Sequence, residues 1–183
     1  MVVTTQSKFI TFYSINQHMV QHTINWYNGE IFEAKFILGF GVIVLISGLL
    51  FFFLGNSPNA KALLIPLAVI GIFFFITGTN MMYSNGNKLI ELQIISSQNS
   101  EEFVASEIKR VEGFQYLYPL SIAISAISFV LALSFLYFSK NSNLQAAAVA
   151  LILFGTAFAV IDYFSKERSN IYFEQLKTYS QIK

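Results

Sequence analysis

Residues 36–54 read FILGFGVIVLISGLLFFFL, nineteen residues without one charged side chain. The hydrocarbon core of a bilayer is about 30 Å thick and takes about twenty helical residues to cross, so this run is long enough to span a membrane. Runs of similar length and composition occupy residues 62–83, 117–138 and 144–164. The sequence therefore predicts four membrane-spanning helices.

Short polar segments join these spans in pairs. Residues 55–61 (GNSPNAK) and 139–143 (SKNSN) are rich in residues that favour turns or interrupt helices. Connections this short hold neighbouring helices antiparallel. The predicted fold class is an all-α, four-span transmembrane helical bundle made of two antiparallel hairpins, with short amphipathic helices on its cytoplasmic side.

The basic residues predict the orientation of the spans. Nine of the eleven lie in the start, the middle connection and the tail, whereas the two turns carry Lys61 and Lys140, and all ten acidic residues share the side of the nine. By the positive-inside rule, both termini are expected in the cytoplasm. We see no signal-peptide pattern in residues 1–35, so the first span is expected to stay as an anchor. The nine basic residues are Lys8, Lys35, Lys88, Lys109, Arg110, Lys166, Arg168, Lys177 and Lys183.

No single stretch outside the membrane is long enough to be an independent soluble domain with its own core. We therefore expect one structural domain made of five consecutive segments. They are an amphipathic, interfacial or cytoplasmic start (1–35), the first transmembrane hairpin (36–83), a cytoplasmic connection (84–116), the second transmembrane hairpin (117–164) and a cytoplasmic tail helix (165–183).

Helical spacing of apolar residues predicts amphipathic helices in the start, the middle connection and the tail. Asn28-Gly29 and Asn85-Gly86 are expected to end the first of these helices and the second span, because Gly after Asn favours a left-handed cap. Ser100 is a good first residue for the helix that follows. Residues 88–95 alternate as a strand does but also suit a helix, which we favour.

Tyrosine and tryptophan prefer the headgroup zone of a bilayer. They are therefore expected to mark the membrane boundaries, with Tyr137 at the outer one and the others at the inner one, namely Trp26, Tyr27, Tyr83, Tyr116, Tyr118, Tyr163 and Tyr172.

The second hairpin looks like a copy of the first. Gly71 matches Gly155, and NKLIE at 87–91 echoes NIYFE at 170–174. Because each unit has two spans, such a duplication would be parallel, about an axis along the membrane normal. Shared membrane composition is the alternative explanation.

Several classes of function are not indicated. The chain has no cysteine and a formal net charge of +1, which argue against thiol chemistry and against nucleic acid as a partner. No ionisable residue lies in the middle of a span, as proton-coupled transport would require. His18 and His22 have the spacing of two zinc ligands, but no third ligand is evident and a packed histidine is the simpler explanation. We predict no catalytic, cofactor or metal site and no enzymatic activity.

Small and weakly polar residues form stripes along the spans. Such stripes usually let membrane helices pack closely. Alternatively, the serine stripe of the third span would line a pore in a homo-oligomer. The candidate packing or pore-lining residues are Gly41, Gly48, Gly71, Gly78, Ser121, Ser125, Ser128, Ala148, Gly155 and Ala159.

Charged residues concentrate where the second hairpin enters and leaves the membrane. They are candidates for ion pairs between helix ends or for a docking surface, and a boundary ion pair with Lys166 is expected to account for Asp162. The residues are Glu107, Arg110, Glu112, Asp162, Lys166 and Arg168.

Glu107, Arg110 and Phe114, which precede the third span, form a pattern that resembles a group of uncharacterised small bacterial membrane proteins with two hairpins. The resemblance implies a bacterial inner-membrane location and no activity. We predict a non-catalytic accessory, immunity or scaffold-type subunit that acts by helix association and cytoplasmic partner binding. Its partners are the lipid bilayer and either another copy of the chain or another membrane or cytoplasmic protein. The alternative is a homo-oligomeric pore or channel, including a conditionally opened membrane-permeabilising effector.

Overall fold

The computed structural model describes residues 2–95 and 100–181, with the side chains of residues 17–92 and 102–181. Parts of the predicted start, middle connection and tail therefore lie outside the described residues. The described chain is all-helical, as predicted, and a helical bundle fits it. Its helices are α1 (Val2–Leu54), α2 (Pro58–Ala62), α3 (Leu64–Ile95), α4 (Ser100–Phe114), α5 (Leu117–Phe138) and α6 (Ser142–Gln181).

Four stretches of described helix are long and apolar enough to cross a membrane. They contain the four predicted spans and leave many large apolar side chains on the outside, as contact with lipid tails requires. The chain thus has the form of a multi-pass membrane protein. The four stretches are Gln17–Leu54, Pro58–Leu92, Glu102–Phe138 and Ser142–Gln181.

The first hairpin, α1 against α3, is held by direct contact between helix backbones. A Cβ atom added to Gly41 would lie 2.6 Å from the Phe75 backbone N, and one added to Gly78 would lie 2.6 Å from the Leu38 N. A Cβ on Gly71 would meet the Gly41 carbonyl oxygen at 2.9 Å. Because any side chain would push the helices apart, this glycine stripe lets them approach at the shortest distance.

The second hairpin, α5 against α6, buries the serine stripe. Ser121, Ser125 and Ser128 are all buried, and Gly155 lies opposite, where an added Cβ would be 3.3 Å from both the Ser125 carbonyl oxygen and the Ser128 Cβ. Helix α6 also contacts α1, α3 and α4. It therefore joins the two hairpins into one bundle.

The predicted helix ends at Asn28-Gly29 and Asn85-Gly86 are wrong. Both pairs lie inside continuous helices, α1 and α3, and no described glycine has a positive φ. The Asn85 amide donates to the Met81 carbonyl within its own helix at 3.0 Å. A glycine in a helix costs only about 1 kcal/mol, which the packing of both flanking segments offsets.

The helix is interrupted between α4 and α5, just before Pro119. Proline has no N–H for the carbonyl of Gln115, four residues earlier, and its ring clashes with that carbonyl. The chain turns at Gln115 and Tyr116, and α5 starts with Pro119 in its first turn, where proline is tolerated. The described part of α4 starts at Ser100, and residues 88–95 are helical, as we favoured.

Beyond the spans, extensions of three long helices and α4 assemble into a second packed layer, here called the charged end. It consists of the described side chains of 17–35, 84–92, 102–116 and 165–181. Its apolar core is separate from the core between the spans. The buried members are Met19, Trp26, Tyr27, Leu92, Phe103, Val104, Val111, Tyr172, Phe173 and Leu176.

Candidate functional site

A buried carboxylate, that of Glu107, lies at the centre of the charged end. The residue is 5% exposed. It accepts hydrogen bonds from the Tyr27 hydroxyl at 3.1 Å, from the Tyr172 hydroxyl at 2.9 Å, and from Arg110 Nε and Nη2 at 3.0 and 2.8 Å. A carboxylate has about four acceptor positions, so Glu107 is fully partnered.

Three helices supply this site. Glu107 and Arg110 are one turn apart on α4, while Tyr27 comes from α1 and Tyr172 from α6. The Tyr172 hydroxyl also lies 3.2 Å from Thr23 Oγ1, which donates to the Met19 carbonyl at 3.1 Å. The carboxylate therefore connects α4 to α1 and to α6. It can do so only when these three helices are in register.

Aromatic rings surround the guanidinium of Arg110. Its central carbon lies 4.6 Å from the Trp26 ring centre, 5.2 Å from that of Tyr27 and 5.8 Å from that of Phe114. The Trp26 ring in turn stacks on Tyr172, with centroids 4.8 Å apart and planes 13° apart. These cation–π contacts add to the ion pair with Glu107 and fix the arginine in one orientation.

This placement corrects the expectation that Trp26, Tyr27 and Tyr172 mark the membrane boundary. All three are buried in the core of the charged end. The Tyr27 and Tyr172 hydroxyls find a partner in Glu107, so these rings are buried without leaving a polar atom unpaired. Trp26 Nε1 is buried and has no partner among the described residues.

Burial and the neighbouring Glu107 charge both raise the pKa of the Tyr27 and Tyr172 hydroxyls above the usual value for tyrosine. Both phenols stay protonated and continue to donate. Burial opposes the charge of Arg110, but its hydrogen bond and ion pair with Glu107 prevail, so the pKa of Arg110 is raised. Arg110 therefore stays charged across the physiological pH range.

Arg168 forms a second buried cluster, near the boundary between the spans and the charged end. Its Nη2 donates to Glu30 Oε1 at 2.8 Å and to Glu33, and its Nη1 donates to the Gly29 carbonyl at 3.1 Å. The side chains of Glu30 and Glu33 are both 10% exposed. This arginine of α6 thus fastens α1 at the point where a helix end was predicted.

The other predicted charged residues behave differently. Asp162 accepts a hydrogen bond from Ser121 on α5. The expected direct ion pair between Asp162 and Lys166 is not formed among the described residues, and Lys166 is exposed. Glu112 is exposed as well.

The candidate packing residues are buried or half-buried, and most of them lie at contacts between helices. Gly41, Gly71 and Gly78 are at the α1–α3 contact, and Gly48 faces α3 with an added Cβ 3.2 Å from Leu67 Cβ. Ser121, Ser125, Ser128 and Gly155 are at the α5–α6 contact, Ala148 is buried, and Ala159 is half-buried on α6.

His18 and His22 lie one turn apart on α1, beside Tyr179 of α6. Their ring centres are 6.0 Å apart, and His22 lies 6.3 Å from the ring of Tyr179. Among the described residues, no three His, Cys, Asp or Glu side chains group as metal ligands do.

Sequence reasoning missed Thr23, Tyr27, Glu30 and Glu33, and a usable signal was present. The buried residues of α1 recur at intervals of three and four straight through Asn28-Gly29. Such an uninterrupted stripe indicates one long helix with one buried face. Its members are Met19, Thr23, Tyr27, Glu30, Ala34, Ile37, Gly41, Val44 and Gly48.

Comparison with protein families, curated proteins and solved structures finds no match to this chain.

Proposed function

We propose that this chain is a non-catalytic integral protein of the bacterial inner membrane, with both termini in the cytoplasm, that binds a partner protein through its charged end. An accessory, immunity or scaffold-type subunit has this form. Its membrane part anchors the charged end, and the charged end recognises the partner.

The observation that carries the proposal is the rigid construction of the charged end. Residues 17–35 of α1 alone extend it about 28 Å beyond the span, and Glu107 and Arg168 each fasten α6 to α1. Anchoring in lipid does not require such a layer. Helices held in fixed register do, however, present their outer side chains as a preformed binding surface, which lowers the entropic cost of association.

Two exposed isoleucines are suitable contact residues on this layer. Ile90 is 62% exposed and Ile171 is 54% exposed. Each lies seven residues past the end of its predicted span, so both are at a similar height above the membrane. Ion pairs of Lys88 with Glu91 and of Lys177 with Glu174 lie on the same helices. Apolar side chains bordered by charges are the usual composition of a recognition surface.

Photo-crosslinking in native membranes tests the proposal. A crosslinking amino acid at Ile90 or Ile171 is expected to give one discrete adduct with another protein, whereas the same group at Ile127, 59% exposed on the lipid-facing side of α5, gives none. Ile90→Glu with Ile171→Glu should abolish copurification of that partner without changing the thermal midpoint, because both side chains are exposed. Adducts with the mass of two copies would show that the charged end binds another copy of this chain and not a different protein. Absence of any adduct would reject the docking role.

The small-residue stripes bear on the competing pore hypothesis. A pore lined by Ser121, Ser125 and Ser128 requires α5 to separate from α6, because these serines are buried against α6 in one chain. We therefore place the pore second. Overexpression with a membrane-potential dye separates the two: the proposal predicts no depolarisation, and a leak that Ser125→Leu abolishes would favour the pore.

A further inference from the structure

The two histidines of the chain, His18 and His22, lie side by side on α1. Their ring centres are 6.0 Å apart and their planes differ by 32°. Residues four apart on a helix are neighbours on the same face, so both imidazoles point to the same side of α1. The same spacing brings two histidine ligands onto one zinc ion in helical metal sites.

Packing does not account for this pair. His18 is exposed and His22 is half-buried. Among the described residues, the rings contact each other and, in the case of His22, the ring of Tyr179 on α6 at 6.3 Å between centres. These are contacts between rings, which leave the ring nitrogens without a partner. A histidine that belongs to a core has its buried nitrogens hydrogen-bonded, whereas these nitrogens are available to a ligand.

The surroundings of the pair suit a cation. Residues 14–26 contain no Lys or Arg that would repel a metal ion along α1, and no Asp or Glu that would hold the imidazoles in ion pairs. On the part of α6 that carries Tyr179, Lys177 pairs with Glu174 at 3.4 Å. Because the chain has no cysteine, the two imidazoles are its only side chains of the nitrogen and sulfur type that transition metals prefer.

We propose that His18 and His22 together bind one divalent transition-metal ion of the class that includes zinc and copper. Imidazole nitrogens bind such ions at about 2.0–2.1 Å, and small rotations of two rings this close bring one nitrogen of each to a shared ion. Two protein ligands leave two of the four zinc positions for water or for a ligand from another molecule. The sequence led us to expect no metal site because we required a third ligand from the same chain. The proposal does not depend on partner binding through Ile90 and Ile171.

Calorimetric titration of Zn²⁺ into the purified full-length protein tests the site. The protein is used in detergent without a histidine tag, in a buffer that does not bind zinc. The unaltered protein is expected to bind one Zn²⁺ per chain. His18→Ala and His22→Ala should each weaken binding by more than about tenfold, since even a residue that only supports a metal ligand contributes that much. The helical circular dichroism of both variants should stay unchanged.

Two control variants separate the spacing of the histidines from their presence. Gln17→His combined with His18→Gln keeps two histidines but sets them five positions apart, on different faces of α1, and should bind as weakly as His18→Ala. Gln21→Ala should bind as the unaltered protein does, because the Gln21 amide is already engaged by Asn25 at 3.0 Å.

Copper gives a readout that does not rest on affinity. Electron spin resonance of the protein loaded with one equivalent of Cu²⁺ should show coupling to two imidazole nitrogens, and coupling to one or none would overturn the proposal. Absence of Zn²⁺ binding overturns it as well. So does equal affinity in His18→Ala or in the variant with the altered spacing, which would assign the metal to scattered carboxylates or to one histidine alone.

Discussion

Glu107 accepts hydrogen bonds from Tyr27, Tyr172 and Arg110, so a neutral side chain in its place leaves a buried cation without its counter-ion. Glu107→Gln is expected to lower the free energy of unfolding by about 2–4 kcal/mol. This is less than for a wholly buried pair, because the Arg110 side chain is 29% exposed. Fluorescence of the single tryptophan, Trp26, whose ring lies under Arg110, reports the transition in detergent.

A matched control for that variant exists on α3. Glu91 pairs with Lys88 at 2.7 Å, but both side chains are about half exposed, so Glu91→Gln should cost less than about 1 kcal/mol. The double variant Glu107→Gln with Arg110→Gln should lose less than the sum of the two single changes, since each single change leaves a lone charge and the double variant leaves none. Equal losses for Glu107→Gln and Glu91→Gln would contradict the proposed role of Glu107.

The phenols of Tyr27 and Tyr172 predict how stability changes in alkali. Their pKa values are raised in the folded protein, so the folded state holds protons that the unfolded state releases. Their contribution is complete below about pH 10, the ordinary pKa of tyrosine, and is lost as the pH rises above it. Thermal midpoints should fall from about pH 10 upward, and should fall less steeply in the Tyr27→Phe, Tyr172→Phe double variant. Parallel pH curves for the two proteins would contradict the burial of these hydroxyls.

At the scale of elements, two glycines of α1 distinguish backbone contact from ordinary helix composition. A Cβ on Gly41 would lie within 2.8 Å of backbone atoms of α3, whereas a Cβ on Gly39 would meet nothing within 4 Å. Gly41→Ala should destabilise the protein by about 1–3 kcal/mol, because the helices must separate. Gly39→Ala should change stability by no more than about 1 kcal/mol. Comparison of thermal midpoints checks the pair, and a similar loss for both would show that the glycines do not set the helix separation.

The ends of elements were harder to predict than their existence. The four spans were predictable because hydropathy is a property of consecutive residues. The helix break before Pro119 was not predicted, because proline is also tolerated in the first turn of a helix. Asn28-Gly29 carries the same kind of local signal but lies inside α1, where Arg168 binds the Gly29 carbonyl from another helix. A local preference of about 1 kcal/mol is easily outweighed by packing that the local sequence does not contain.

At the scale of the whole molecule, the partners of the site residues were even harder to predict from local sequence than the ends of helices. Arg168 and Glu30 are 138 positions apart, and Tyr27 and Glu107 are 80 apart. Their types and charges identified Glu107, Arg110 and Arg168 as candidates for ion pairs, but not their partners. Pairing depends on how the two hairpins dock through α6, which no spacing within one segment reveals.

The two hairpins nevertheless have a glycine contact and a sequence motif in corresponding places. Gly71 of α3 contacts α1, the first helix of the first hairpin. Gly155 of α6 contacts α5, the first helix of the second hairpin. The echoed motifs at 87–91 and 170–174 both lie on helix extensions in the charged end. A parallel duplication would account for both correspondences, as would shared membrane composition, and the duplication stays a prediction. The Pro119 break, which has no counterpart in α1, is where the two units differ.

The absence of cysteine makes the predicted orientation directly measurable, because one introduced thiol is then the only one in the chain. Lys61→Cys and Lys140→Cys place it in the two turns, and Lys88→Cys and Lys166→Cys place it at exposed positions beside the spans in the charged end. If the basic residues set the orientation, a membrane-impermeant maleimide should label the turn variants on intact cells and the other two only after permeabilisation. The reverse pattern would place the charged end outside the cell, and with it Ile90, Ile171 and the proposed partner. Labelling of all four on intact cells would contradict a membrane protein of fixed orientation.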